Sequence, residues 1–212
     1  MVYWFSRAPW LVGGLALAIA LSLPTVSLSQ ADTPAALDAE LSAAERTALG
    51  KGNIIVSAEE GQFHGWVLVK AKPGLVWEVL TDYANFKDFI PNVVSSEILE
   101  NNGTQKVIEQ VSVRQVFVVS VRSRIRSALT ETPQQRIEFE MVEGDLKSLK
   151  GSWQMEANEA GSSESAVPVL ITYTAQAQPL DSPFADSFPQ VYRKALEDTL
   201  SGIRKEIQRR AE

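Results

Sequence analysis

The sequence predicts an α+β domain: a curved antiparallel sheet wrapped around one long C-terminal helix, with two short helices after the first strand. Three observations carry that reading. Apolar residues recur at three- and four-residue steps through "KPGLVWEVLTDY" (72–83), then at two-residue steps in segments spread over 93–177. The helical step returns in "FPQVYRKALEDTLSGIRKEIQRRAE" (188–212). Finally, 212 residues with 45% hydrophobic and 22% charged side chains make one substantial folded domain, not a disordered tail.

Residues 1–31 read as an export signal that takes no part in the fold. Arg7 precedes an apolar run from Trp10 to Leu23, Pro24 breaks it, and Ser29-Gln30-Ala31 has the small-x-small form of a cleavage site. The run is shorter than the roughly 20 residues a spanning helix needs. Cleavage after Ala31 would release the protein into a periplasm or thylakoid lumen, whereas an uncleaved segment would hold it at the membrane. Residues 32–60 then form an N-terminal extension, with a short helix through Leu37, Leu41, Ala44 and Leu49 and a strand over "NIIVS" (53–57). The main domain is assigned to 61–212.

That domain begins with a strand, "FHGWVLVKA" (63–71). Pro73 suits the first turn of a helix, since proline has no N–H to leave unpaired, and Val76, Val79, Leu80 and Tyr83 share one helical face. Phe86, Phe89 and Ile90 repeat the spacing in a second short helix that Pro91 stops. "VVSSEILE" (93–100) and "TQKVIEQVSV" (104–113) flank an Asn-Asn-Gly turn, and Arg114-Gln115 begins the next reversal. From 117 to 126 the odd positions Phe117, Val119, Val121, Ser123 and Ile125 face inward, and the even ones outward. Ile137, Phe139 and Met141 alternate likewise with Arg136, Glu138 and Glu140. "GSWQME" (151–156) and "VPVLITYTAQA" (167–177) complete the sheet, with Trp153, Met155, Ile171 and Tyr173 inside. Gly144 and Gly151 read as turn and bulge positions. Phe188, Val191, Tyr192, Ala195, Thr199, Ile203 and Ile207 make one apolar stripe on the final helix.

Composition excludes several functions. A net charge of −6 argues against nucleic-acid binding. The absence of cysteine removes disulfides, thiolate metal sites and a cysteine nucleophile. The single histidine, His64, reads as a strand-surface residue with no Ser or Asp constellation around it, so neither a catalytic residue, a metal nor a cofactor is expected. Asp82 reads as a turn residue and Asp88 as solvent-facing. Arg122, Arg124 and Arg126 form a basic row, best explained by a cross-strand ladder with Glu138 and Glu140.

"KPGLVWEVLTDYANFKDFIPNV" (72–93), "GDLKSLKGSW" (144–153) and "TYTAQAQP" (172–179), in that order before a long final helix, resemble the START-like helix-grip superfamily. The resemblance covers about residues 61–210 and is nearest the coenzyme-Q-binding and polyketide cyclase/dehydrase-type branch, particularly exported forms of cyanobacteria and plastids. It implies an apolar cavity between sheet and final helix, with the segment after the second short helix at its entrance. Phe117, Val119, Phe139, Met141, Trp153, Met155, Tyr173, Phe188 and Val191 would then line that cavity or fill it as core. Phe86, Phe89 and Ile90 would be either gate rings or ordinary packing. The function this implies is binding or transport of a hydrophobic small molecule (a lipid, quinone, isoprenoid or pigment), with a transient membrane contact. The alternatives are a cyclase or dehydratase and a ligand-free interaction module. The inner faces assigned above carry no carboxylate, histidine or lysine to move protons, which favours the binder.

Overall fold

The computed structural model describes residues 41–116, 118–157, 165–181 and 185–212. The expected export segment and Leu37 lie outside the described residues. A first helix, α1 (Ala43–Gly50), is closed by a capping box in which the Ser42 hydroxyl accepts from the Glu45 N–H and the Glu45 carboxylate accepts from the Ser42 N–H. Two strands follow, β1 (Ile55–Glu59) and β2 (Gln62–Ala71), and then α2 (Pro73–Leu80), a single 3-10 turn (Tyr83–Asn85) and α3 (Phe86–Phe89). Six further strands complete the sheet: β3 (Val93–Asn102), β4 (Gln105–Val116), β5 (Val119–Thr132), β6 (Arg136–Gly144), β7 (Leu146–Ala157) and β8 (Val167–Pro179). The chain closes with α4 (Phe188–Ala211). All eight strands belong to one antiparallel sheet in the order β1-β2-β8-β7-β6-β5-β4-β3.

Most strands run further than the sequence reading places them, β4 and β7 among them. Pairing of β4 with β5 continues through Gln115↔Ser120 to Val116↔Val119, so the reversal lies beyond Arg114-Gln115. β7 begins at Leu146 because its polar first half still pairs with β8, which supplies the backbone partners that side-chain alternation does not reveal. Gly151 is not a bulge. The register is regular there, and the glycine is required by close approach: a Cβ would meet the Thr174 carbonyl, the Phe139 ring at 2.7 Å and the Ala175 Cα at 2.8 Å.

The odd residues of β2 face α4. Gly65 leaves room for Leu196 and Leu200 of the helix, and Phe63 and Val67 are fully buried beside it. Leu196 and Leu200 therefore join Ile203 and Ile207 in the buried stripe of α4, while Val191 and Thr199 sit half-buried at its margin. At Gly202 the helix is crossed by the end of α3, whose Phe89 carbonyl and the Pro91 ring occupy the space a side chain would need. The other face of β2 and β8 carries Trp66 and Leu170, which are covered by Leu41 and Leu49 at α1. His64 lies on this outer face, half-buried and stacked on Trp66 with centroids 5.7 Å apart.

The basic row of β5 is a ladder with different acids from those expected. Arg124 and Arg126 both bind Glu109 of β4 and Glu143 of β6, at 2.5–2.9 Å. Glu140 and Glu138 lie opposite Ala128 and Thr130, too far along the strand. An irregularity between Arg126 and Ser127 offsets the register and brings Glu143 opposite Arg126.

The end of α4 is fixed by ions. Arg210 binds Asp82 at 2.5 Å and the buried Glu206 at 2.7 Å, and Arg209 also binds Glu206, at 2.6 Å. Asp82 thus ties the final helix to the turn after α2, besides accepting from Asn85 within that turn. Hydrogen bonds from Arg209 and Arg210 outweigh desolvation and hold the Glu206 carboxyl at about 2, against an ordinary 4.5. A carboxyl with a depressed folded pKa stabilises the fold above its unfolded pKa and loses that contribution as pH falls towards the folded value. Urea midpoints should therefore drop between pH 4.5 and 2. Glu206→Gln should remove that part of the decline and cost about 2–3 kcal/mol at neutral pH, a figure discounted because Arg209 is exposed. An unchanged acid profile in the variant would assign the decline to other carboxylates.

Candidate functional site

Between the end of β4 and the first half of α4 the molecule opens into a cavity of about 680 Å³. Helical geometry places Ser187, Gln190, Val191, Lys194 and Asp198 on one stripe, at steps of three and four, and all five line the opening together with Asp186. Asn92, Arg114 and Gln115 close it from the opposite side. Arg114 reaches across from sheet to helix and donates to Asp198 at 3.1 Å, while Lys194 binds the other oxygen of that carboxylate at 3.0 Å. The hydrogen bond from Lys194 to Asp198 also holds the ammonium pKa above its usual value.

The sheet continues inward from this mouth with paired residues of one face. Arg114 lies opposite Val121, Ser112 opposite Ser123 and Gln110 opposite Ile125. All six are half-buried, as are Phe139 and Met141 on β6. Farther in, aromatic rings gather. Phe139 stacks on Tyr173 at 5.6 Å, Trp153 meets Tyr173 edge-on at 4.6 Å, and Phe63, Phe188 and Tyr192 pack within 6.0 Å of one another. The Tyr173 and Tyr192 hydroxyls share a hydrogen bond of 2.6 Å that joins β8 to α4. Burial disfavours either phenolate: it pushes Tyr192 up to about 12 and Tyr173 well above its usual value, so both are neutral donors in the physiological range.

The expected site residues separate into distinct groups. Among the described ones, only Val191 lines the cavity mouth. Phe139, Met141 and Trp153 are half-buried on the inner face, with Phe188 half-buried at the start of α4, whereas Met155 and Tyr173 are buried. Val119 is 44% exposed at the outer end of the β4–β5 hairpin and so is not enclosed. Phe117 lies outside the described residues. Phe86 and Ile90 belong to the main core and Phe89 packs at its margin under Arg210, 5.9 Å from the ring, and none of the three is among the residues lining the opening. Tyr83 is likewise core, its hydroxyl donating to Glu131 at 2.8 Å.

Sequence reasoning misses the polar lining. It places Arg114 in a turn and leaves Lys194 and Asp198 outside the apolar stripe. Their shared helical phase with Ser187, Gln190 and Val191 is the signal that could find them. The expectation that the assigned inner faces carry no lysine or carboxylate does not extend to the mouth, where Arg114 and Lys194 share the Asp198 carboxylate.

Several solved structures share this architecture. A protein from Thermus thermophilus superposes with a TM-score of 0.59 at 16% identity, covering 71% of this chain and 99% of that one. The STAR-related lipid transfer protein of Xanthomonas axonopodis gives 0.56 at 22% identity, covering 73% of this chain and 92% of that fragment. The Zhui aromatase/cyclase of Streptomyces sp. R1128 gives 0.54 at 20% identity, with 76% and 97% covered. No curated protein matches the chain. At these identities the structural likeness establishes the helix-grip fold alone. The family follows from the sequence itself, because the model of the polyketide cyclase / dehydrase and lipid transport family matches residues 69–200, from the end of β2 through most of α4. With more than half of its length matched and the grip of sheet on helix in place, this chain belongs to that family.

Proposed function

We propose that the protein binds a hydrophobic small molecule between the inner face of β4–β6 and the N-terminal half of α4. One observation carries the reading: α4 packs chiefly on β1 and β2, leaving Val121, Ile125 and Met141 half-buried on the inner face of β5 and β6, and Val191 half-buried at the mouth of a cavity of about 680 Å³. Apolar surface held open to water gains about 25 cal/mol per Å² when a ligand covers it. The lipid-transport part of the family description and the likeness to a lipid transfer protein support the same reading.

A dansyl-labelled fatty-acyl probe tests it. Val121→Asp places a charge on the inner face and should weaken probe binding at least about tenfold, since burying an unpaired carboxylate is costly. Val142→Asp, at a position 58% exposed, should leave binding unchanged. Equal affinity in both variants, or no binding by the parent protein, would defeat the proposal.

A further inference from the structure

The cavity mouth suggests which end of a ligand it holds, an inference that rests on the binding reading above. Its formal charges cancel: Arg114 and Lys194 stand against Asp186 and Asp198. Asp198 is already engaged by both cations, through different oxygens. An incoming carboxylate or phosphate would have to displace Asp198 from its partners, and an incoming ammonium would have to compete with Arg114 and Lys194 for it. What the mouth offers at no such cost is neutral hydrogen bonding. The amides of Asn92, Gln115 and Gln190 each carry donors and an acceptor, and the Ser187 hydroxyl can do both. Beyond them Val121 and Ile125 give the inner face its apolar side chains, with the small Ser112 and Ser123 between them.

We infer that the mouth selects an amphiphile with an uncharged, hydroxyl-rich headgroup, seated among the amides with its apolar chain on the inner face of β4 and β5. The Arg114–Asp198–Lys194 cluster keeps its charges engaged with one another, and Asp186, exposed at the rim, balances its residual positive charge, so the mouth as a whole favours neither sign of headgroup. Hydroxyl groups suit this mouth because each donates to one neighbour and accepts from another, as the amide lining demands.

Four ligands with the same decyl chain test this by competition against the acyl probe, below their micelle concentrations: decyl maltoside, decanoate, decyltrimethylammonium and decylphosphocholine. Decyl maltoside should bind at least about tenfold tighter than each of the other three. Asp198→Asn removes the carboxylate that both cations share, freeing Arg114 and leaving Lys194 only Glu197 at 3.5 Å, and should shift the preference towards decanoate by about tenfold or more. Gln190→Leu should weaken maltoside while leaving decanoate unchanged, which keeps the test available if the Asp198 variant folds poorly. Equal affinity for all four, or a preference for any charged or zwitterionic member, would overturn headgroup selection. So would failure of all four to displace a probe that still binds, whereas loss of probe binding itself would overturn the binding reading beneath it.

Discussion

Gly151→Val should leave little folded protein. The glycine sits on β7 opposite Phe139, with the Thr174 carbonyl and the Ala175 Cα of β8 against its open side. Two of those three neighbours are backbone atoms of the adjoining strand, so a side chain can be admitted only by separating β7 from β8. The Phe139 ring would also leave its place, and with it the stack on Tyr173. We expect a loss of at least about 4 kcal/mol, at the upper end of single-substitution effects. Urea denaturation followed by circular dichroism measures it. A loss below about 1 kcal/mol would mean that the two strands yield there far more readily than a paired sheet normally does.

Phe63→Ala should be nearly as damaging and should also reach the ligand face. The ring is fully buried, 4.1 Å from Tyr192 and edge-on to Phe188 at 6.0 Å. Removal of such a ring costs about 3–5 kcal/mol through lost burial and the void left behind. The void would lie beside Tyr192, whose hydroxyl meets that of Tyr173. Water admitted there would relieve the desolvation that raises the Tyr192 pKa, so spectrophotometric titration should show one tyrosine moving from about 12 towards 10. A stable variant with an unchanged tyrosine titration would show that Phe63 supports neither the core nor the hydroxyl pair.

What can be read in advance divides along a physical line. The parity of β5 and β6 is visible because one face of each strand is apolar and the other charged, a pattern that survives whatever the neighbours are. The first half of β7 is not visible: Lys147 and Lys150 point outward, and Gly151 presents no side chain, so its strand character resides in backbone pairing with β8. On α4 the apolar stripe is displaced one step from its expected place. Leu196 and Leu200 are buried because Gly65 opposite them removes a side chain from β2, a fact of tertiary contact that helical spacing cannot supply. The cavity mouth is hidden for a related reason. Asn92, Arg114 and Asp198 are brought together only when the hairpin of β4 and β5 folds over the helix. Phe86 and Ile90 are recognisable as apolar anchors, but which surface they anchor to depends on Gly202.

The layering of the sheet also fixes where the molecule can give way. β2 and β8 are sandwiched, with α4 on one side and Leu41 and Leu49 on the other, so opening them to solvent would expose apolar residues on both faces at once. The outer end of the β4–β5 hairpin has no such cover, and Val118 there is 92% exposed. Local opening draws on the least-covered part of a fold, so this hairpin can breathe at a free-energy cost well below that of global unfolding. Amide hydrogens at the outer end of this hairpin should therefore exchange sooner than those of β2 and β8.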